Sequence, residues 1–308
     1  MTADPMSRLK ANGLLLLAAL IWGSAFVGQA RGMAGVGPLT FTGLRFALGA
    51  LVVAPLAWRE WQALRAAGHL PGRADARWIV LLGGLLCTGV VMQQVGLMTT
   101  SVTNAGFLTA LYVPLVPVLA WLFQRQLPHW SVWPAAAGCL LGVWLLTGAS
   151  LQALSVGDVW VMLSAAPWAV HVLLVGQVAN KMRGAYLLAC GQFVVCALVS
   201  GGLGLGFETI SADGLRAAAG AIAYTGFLSV GVGFTLQVIG QRHAHPADAA
   251  ILLSSETVFA ALFGAWLMGD RLAPTGLAGC VLILACILAV QLLPALHARV
   301  HARRLASR

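Results

Sequence analysis

Three ionisable side chains, Arg45, His171 and Glu256, interrupt long apolar stretches of the chain. If those stretches lie in a membrane, each charge costs a few kcal/mol or more at mid-depth, so the three residues are candidates for function. Glu256 follows Ser254 and Ser255 and is the deepest carboxylate within an apolar stretch. A carboxylate there can hold a substrate amino group or carry a proton, or it can lock two helices together through a hydrogen bond.

Arg45 and His171 each allow two interpretations. The planar guanidinium of Arg45 can bind a carboxylate through two parallel hydrogen bonds, or its long stem can reach the membrane surface. His171 can relay protons near neutral pH, or it can be a buried, neutral, hydrogen-bonded side chain. It follows Trp168 by three residues, so both side chains lie on one helix face.

Aromatic and amide side chains in the same stretches could complete a binding cavity. Aromatic walls with a few polar donors suit a zwitterion with an apolar or aromatic side chain. For each aromatic residue, packing or a place in the membrane-surface belt is the alternative. The predicted substrate-binding residues are Trp22, Arg45, Gln93, Phe107, Tyr112, Trp168, His171, Tyr224 and Glu256. We expect no catalytic residue, no cofactor and no metal site, since no Cys or His spacing fits zinc.

Composition indicates that lipid surrounds the chain. Of its 308 residues, 60% are hydrophobic and 9% are charged, and the mean hydropathy is +0.88. Soluble domains carry about 25% charged residues. The net charge of +9 does not indicate nucleic-acid binding, because the charges lie in short gaps between apolar runs and not on one face of a soluble fold.

Ten apolar stretches approach the about 17–25 residues that a transmembrane helix needs. They lie near residues 11–28, 38–58, 78–98, 103–123, 131–148, 157–178, 184–205, 216–237, 247–268 and 274–293. The predicted fold is an all-α polytopic membrane protein with ten transmembrane helices.

The chain also repeats itself at an offset of about 145 residues. The segment Met92-Gln93-Gln94-Val95-Gly96 matches Leu236-Gln237-Val238-Ile239-Gly240, and Trp22 matches Trp168. Five spans per repeat is an odd number, so the halves would enter the membrane in opposite directions as inverted repeats, an arrangement common in secondary transporters. We predict a first five-helix repeat at 11–148, a second at 157–293 and a basic cytoplasmic tail at 294–308.

Basic residues predict the orientation. With the N-terminus inside, 14 of the 18 lysines and arginines lie on the inner side, three lie outside, and Arg45 lies in a span. This bias predicts that both termini are cytoplasmic in an inner, or plasma, membrane. Arg8 and Lys10 before an apolar run also resemble a cleavable signal peptide. The match of Trp22 to Trp168 favours a retained first span instead.

Several motifs carry a family resemblance over nearly the whole chain. They are Leu17-Ala18-Ala19-Leu20-Ile21-Trp22-Gly23-Ser24-Ala25-Phe26, Leu44-Arg45-Phe46, Ser255-Glu256-Thr257 and Gly269-Asp270-Arg271-Leu272. In this order they resemble EamA-type members of the drug/metabolite transporter superfamily. The resemblance implies a ten-helix fold of inverted repeats that moves metabolites, often amino acids, outward across the inner membrane. Two departures are Asp270, where the family commonly has Glu, and Gln124-Arg125 in place of Gly-Glu. Both lie at helix ends and are interpreted as structural.

Other classes of membrane protein lack their signatures here. The chain has no phosphate-binding GxxxxGK and no HExxH, so we expect neither an ATP-driven pump nor an enzyme. The prediction is a secondary transporter that exports amino acids, or related small metabolites, by alternating access around a central cavity. The alternatives are a channel-like facilitator and a multidrug or cation exporter of the same fold. Expected partners are the small-molecule substrate and the bilayer, without nucleic acid, for a monomer or weak homodimer.

Overall fold

The regular structure of the chain is helical throughout the described residues. A computed structural model describes residues 8–125, 127, 130–146, 154–243 and 252–306, and no strand occurs in that part of the chain. The α-helices, in chain order, are α1 (Arg8–Gly32), α2 (Pro38–Ala66), α3 (Arg73–Gly96), α4 (Val102–Thr109), α5 (Tyr112–Gln124), α6 (Val132–Leu146), α7 (Val156–Lys181), α8 (Ala185–Phe207), α9 (Ala212–Tyr224), α10 (Thr235–His243), α11 (Glu256–Phe263) and α12 (Pro274–Ala306). Two π-helical segments, Thr225–Phe234 and Gly264–Met268, join α9 to α10 and extend α11.

Seven helical segments are long and apolar enough to cross a bilayer. They are Leu9–Gly32, Pro38–Ala66, Arg73–Gly96, Val102–Phe123, Val156–Ala179, Ala185–Phe207 and Ala212–His243. Three shorter apolar helices, Val132–Leu146, Leu252–Met268 and Pro274–Ala289, lie where the other three spans were predicted. The protein is therefore a polytopic helical membrane protein, and the count of ten spans stays a prediction. Helix α12 continues without interruption to Ala306, so residues 294–306 of the predicted tail are helical.

Helix starts follow local sequence signals. Pro38 stands at the first turn of α2, where its missing N–H costs nothing. Ser101 caps α4 by accepting a hydrogen bond from the Asn104 backbone N–H at 3.1 Å. Ser155 and Asp158 form a reciprocal capping box at the start of α7. These caps satisfy N–H groups that the first helical turn leaves free.

Helices of one matched stretch pack against helices of the other, and the corresponding helices pack in the same pairs. Helix α1 packs against the segment Ala212–His243, and its counterpart α7 packs against α3, the counterpart of that segment. Helix α2 packs against its own counterpart α8, and α6 packs against α12. At Gly43 a side-chain Cβ would lie 2.6 Å from the Gly201 Cα, so α2 and α8 touch backbone to backbone.

Two carboxylates cap α2 and α8 reciprocally. At the start of α2, Glu208 accepts hydrogen bonds from the backbone N–H groups of Leu39 and Thr40 at 2.8 and 2.7 Å. At the start of α8, Glu60 accepts from Ala185 and Leu187 at 3.0 and 2.9 Å. A helix N-terminus is partly positive, so each carboxylate stabilises the helix that it caps. Since Glu60 lies near the end of α2 and Glu208 directly follows α8, the two helices run antiparallel.

Two aspartates hold the start of α4. Asp270 accepts hydrogen bonds from the backbone N–H and the hydroxyl of Thr103 at 2.9 and 2.8 Å. Asp158 accepts from the hydroxyl of Thr100 and from the Asn104 amide. Asp270 therefore has a capping contact, in line with the structural interpretation of that position.

Candidate substrate-binding cavity

A cavity lies between the matched stretches. Six of the nine predicted site residues line it: Trp22, Arg45, Gln93, Tyr112, Trp168 and Glu256. The other lining residues are Phe26, Gln29, Val90, Thr109, Val172, Ser229, Phe234 and Gln237. Its lining therefore combines aromatic rings, amides and two side chains that can carry charge.

One side of the cavity, which we call the first wall, comprises Trp22, Phe26, Ser229, Phe234 and Gln237. The Trp22 indole N–H donates a hydrogen bond to the Ser229 carbonyl at 3.1 Å. The rings of Trp22 and Phe234 contact each other with centroids 4.7 Å apart. Trp22 rests on Gly233, where a Cβ would lie 2.7 Å from the indole nitrogen. The first wall is thus densely filled, and its indole N–H has a partner.

The second wall comprises Val90, Gln93, Trp168 and Val172. Trp168 rests on Gly89, where a Cβ would lie 3.2 Å from the ring. Its buried indole N–H has no hydrogen-bond partner within the described part of the chain. The Gln93 amide donates to the Thr109 hydroxyl at 2.8 Å. The second wall therefore has one aromatic ring, two valines and a free hydrogen-bond donor.

Phe234 joins the two walls. Its ring is parallel to that of Trp168, with centroids 6.0 Å apart and an interplanar angle of 6°. It also contacts the rings of Phe46 and Phe193 at 5.9 and 6.1 Å. These ring pairs have separations typical of favourable aromatic contacts. Phe234 is thus the centre of the aromatic cluster.

Arg45 and Glu256 are the chargeable lining side chains, and both are buried, at 2% and 6% exposure. The Arg45 guanidinium lies over the rings of Phe41 and Phe46 at 5.7 and 5.3 Å, which is within cation–π range. Its Nε has no hydrogen-bond partner. Among the hydrogen bonds and ion pairs of the described residues, none involves the side chain of Arg45 or Glu256. The cavity therefore contains a guanidinium and a carboxyl group that are not paired with each other.

Helix interruptions bring Tyr112 and Glu256 to the cavity. Between α4 and α5 the backbone makes hydrogen bonds between residues three apart, as in a 3₁₀ turn. There the Val113 N–H donates to the Ala110 carbonyl at 3.0 Å. The same pattern recurs 145 residues later at the start of α11, where the Val258 N–H donates to the Ser255 carbonyl at 3.1 Å. Discontinuous membrane helices at matched positions commonly frame transporter binding sites.

The π-helical segment Thr225–Phe234 corresponds to a one-residue insertion. Helix α3 spans 24 residues from Arg73 to Gly96, and the matching stretch from Arg216 to Gly240 is one residue longer. The offset is 143 residues for Arg73/Arg216, Ile79/Ile222 and Gly83/Gly226, and 144 for Gly89/Gly233, Val90/Phe234 and Gln93/Gln237. A π-turn accommodates one residue more than an α-turn and often marks a functional site. The π-helical segment ends at Phe234, which lines the cavity.

Three predicted site residues do not line the cavity. Phe107 is buried in the hydrophobic core. The Tyr224 hydroxyl shares a hydrogen bond of 2.5 Å with the Ser24 hydroxyl and links α9 to α1. His171 Nε2 lies 2.7 Å from the Gln192 side-chain oxygen, which can only accept, so that nitrogen donates. This geometry fits the interpretation of His171 as a buried, hydrogen-bonded side chain beside Trp168.

The repeat offset would have identified several lining residues that were not predicted. Val90 matches Phe234 at 144 residues, and Phe26 matches Val172 at 146 residues. Each pair joins one residue of the first wall to one of the second. Gln29, Thr109 and Ser229 have no such signal, because short or uncharged polar residues are common throughout the chain.

Comparisons with known proteins agree with this architecture. The profile of the EamA-like transporter family matches the chain twice, over residues 9–148 and 155–292. An uncharacterized transporter of Archaeoglobus fulgidus is 27% identical over 290 residues, covering 94% of this chain and 88% of that protein. The uncharacterized transporter YwfM of Bacillus subtilis is 24% identical over 288 residues, covering 91% and 93%. A solved crystal structure shares the fold, with a TM-score of 0.63 at 19% identity over 93% of this chain and 99% of that chain. Because the family profile covers both matched stretches, this chain belongs to the EamA-like transporter family and is a multi-pass membrane transporter.

Proposed function

We propose that the protein is a secondary transporter that exports amino acids with apolar or aromatic side chains, or related small metabolites, across the inner membrane. The observation that carries the proposal is the pair Arg45 and Glu256. Both face one cavity from α2 and α11, and neither has a hydrogen-bond or ion-pair partner within the described residues.

A zwitterion would satisfy both groups at once. Unpaired buried charges are costly, and a substrate carboxylate can bind the Arg45 guanidinium through two hydrogen bonds. The substrate ammonium group would lie at Glu256, and the aromatic walls would enclose its side chain. This arrangement disfavours a cation exporter of the same fold, because Arg45 repels a cationic drug in the same cavity.

Analogues that lack one charge test the two contacts separately. We expect an amino acid to bind purified protein at least tenfold more tightly than the matching amine or the matching deaminated acid. In Arg45→Gln the amine should bind about as tightly as the amino acid. In Glu256→Gln the deaminated acid should bind about as tightly as the amino acid. Such selective coupling between a mutation and a ligand group reports direct contact. Equal weakening of all three ligands in either variant would contradict the assignment.

Transport is measured with purified protein in liposomes and a panel of labelled amino acids, with and without a pH gradient. Alternating access predicts flux that saturates with substrate. Flux that rises linearly to high concentration would favour the channel-like facilitator. A response to the pH gradient would identify proton coupling, and its absence would indicate uniport or exchange.

The proposed transport cycle rests on ten spans in two inverted repeats, at residues 11–148 and 157–293, with both termini cytoplasmic. Support comes from the corresponding helix pairs and from the reciprocal caps Glu60 and Glu208. A reporter fused after Arg308 should be active only if it is a cytoplasmic reporter. Activity of a periplasmic reporter there would overturn the topology.

A further inference from the structure

The two walls carry different residues at matched positions. Trp22 rests on Gly233 and Trp168 rests on Gly89, so the two indoles and their glycines correspond. The next residue along the chain is Phe234 in the first wall and Val90 in the second. One helical turn after each tryptophan stand Phe26 and Val172. At both matched positions the first wall has an aromatic ring where the second wall has a valine.

This difference leaves room beside Trp168. In the first wall the Phe234 ring fills the space next to the Trp22 indole at 4.7 Å. Val90 and Val172 have no ring with which to fill the matching positions, and the ring that does lie beside Trp168 is Phe234, with centroids 6.0 Å apart. Protein interiors are normally close-packed, so a missing ring leaves space for another group unless the surroundings collapse onto it. Both valines line the cavity, and Val90 is 1% exposed.

The two indole N–H groups also differ in their hydrogen bonds. The Trp22 N–H is bonded to the Ser229 carbonyl, whereas the Trp168 N–H is buried and has no partner among the described residues. Trp168 is 8% exposed. A buried donor without a partner is rare and points to a missing water or ligand group. The first wall also has a buried atom without a partner among the described residues, the acceptor Gln237 Oε1, but only the second wall has an indole N–H donor left without one.

We infer that the second wall is the subsite for the substrate's side chain, and that Val90 and Phe234, on its two sides, determine the largest side chain the transporter accepts. The inference rests on the proposed function, because it places the side chain of the zwitterion whose charges lie at Arg45 and Glu256. A ring at position 90 would occupy the subsite, and loss of the ring at 234 would widen it.

Size selectivity is the measurement. The probes are L-alanine and L-tryptophan, and binding of each is measured on purified protein. In Val90→Phe the ratio of the tryptophan dissociation constant to that of alanine should rise at least tenfold. In Phe234→Val the ratio should fall. The double variant Val90→Phe/Phe234→Val exchanges the two residues and should return the ratio to within about threefold of the wild type, since volume-conserving exchanges are tolerated best.

Val80→Phe is the matched control, because it adds the same ring to α3 at a side chain that is 59% exposed. Its ratio should equal that of the wild type. Equal weakening of alanine and tryptophan by Val90→Phe, or the same ratio in Val80→Phe and Val90→Phe, would overturn the inference. If Val90→Phe does not fold, Phe234→Val decides alone, and an unchanged ratio in that variant overturns the inference.

These outcomes separate the two levels of the argument. A wild type that binds neither amino acid overturns the proposed function, and the inference with it. A wild type that binds both, with a ratio that no variant shifts, overturns only the assignment of the subsite.

Discussion

The first and second walls of the cavity share a backbone plan and differ in what fills it. Each has a tryptophan resting on a glycine of the opposite stretch. In the first wall the indole N–H is bonded and Phe234 packs against the ring at 4.7 Å. In the second wall the indole N–H has no partner among the described residues, a valine stands at the position that matches Phe234, and Phe234 itself lies 6.0 Å from the ring. The two walls thus have matched backbones and unmatched side chains.

The charges follow the same rule. Arg45 lies one residue before Phe46, and the residue before the matching Phe193 is the neutral Gln192. Glu256 matches the neutral Leu111 at an offset of 145 residues. Each stretch contributes one charge where the other has none. A cavity with two equal ends could not distinguish the ends of the proposed zwitterion, whereas Arg45 and Glu256 would.

The largest expected effect comes from removing one of these charges. Glu256→Gln keeps the shape of the side chain and should lower transport at least tenfold, which corresponds to roughly 1.4 kcal/mol or more of lost interaction. The protein should keep its yield and its unfolding midpoint. If Glu256 also carries a proton, the mutant should lose the pH dependence of the wild-type flux. Uptake in liposomes checks both points, and full activity would leave Glu256 as a packing residue.

Adding a methyl group to each supporting glycine should destabilise the protein more at the first wall than at the second. Gly233→Ala places a Cβ 2.7 Å from the Trp22 indole nitrogen, and Gly89→Ala places one 3.2 Å from the Trp168 ring. Overpacking costs about 1–3 kcal/mol, while alanine regains about 0.5–1 kcal/mol of helix propensity. We expect Gly233→Ala to destabilise by about 1 kcal/mol and Gly89→Ala to be nearly neutral in detergent unfolding. Equal losses would mean that the two tryptophans are held alike.

The indole hydrogen bond offers a finer comparison. Trp22→Phe removes the hydrogen bond to the Ser229 carbonyl, at a cost of about 1 kcal/mol. Trp168→Phe removes a donor that has no partner among the described residues, so its hydrogen-bond cost should be close to zero. Both variants lose similar ring area, which makes each the control for the other. A larger loss of stability at Trp168 would contradict the free donor.

The smallest effect should come from the reciprocal caps. Glu60→Gln and Glu208→Gln each keep one side-chain oxygen but lose the charge and one of two hydrogen bonds to a helix start. We expect each to cost about 0.5 kcal/mol, and to do so equally, because the two caps have nearly the same distances. Unfolding midpoints measured side by side test this equality. A difference well above that amount would break the equivalence of α2 and α8.

Seven of the ten predicted spans are helices long and apolar enough to cross a bilayer, and the other three coincide with shorter apolar helices. Long apolar runs have few other uses, which makes such helices predictable from sequence. The repeat at about 145 residues located Trp22 and Trp168, and intramembrane charge located Arg45 and Glu256, which all line the cavity. Residue type and spacing could not show that His171 and Tyr224 lie outside the cavity lining. The His171 ring nitrogen and the Tyr224 hydroxyl find hydrogen-bond partners on other helices instead. Phe234 was missed because its match, Val90, has no ring or polar group to mark it as a site residue, and only the repeat offset links the two.

The reciprocal caps have a consequence for biosynthesis. The backbone N–H groups of Leu39 and Thr40 are capped by Glu208, which lies 169 positions after Leu39. At about 5–20 residues per second, a nascent α2 waits roughly 10–30 s for the carboxylate that completes its first turn. The start of α2 in the nascent chain therefore lacks its cap until the second half of the chain reaches the membrane. Residues 1–150 synthesised alone should be degraded faster in a pulse-chase than the same fragment made together with residues 151–308, and equal lifetimes would show that α2 matures without its distant cap.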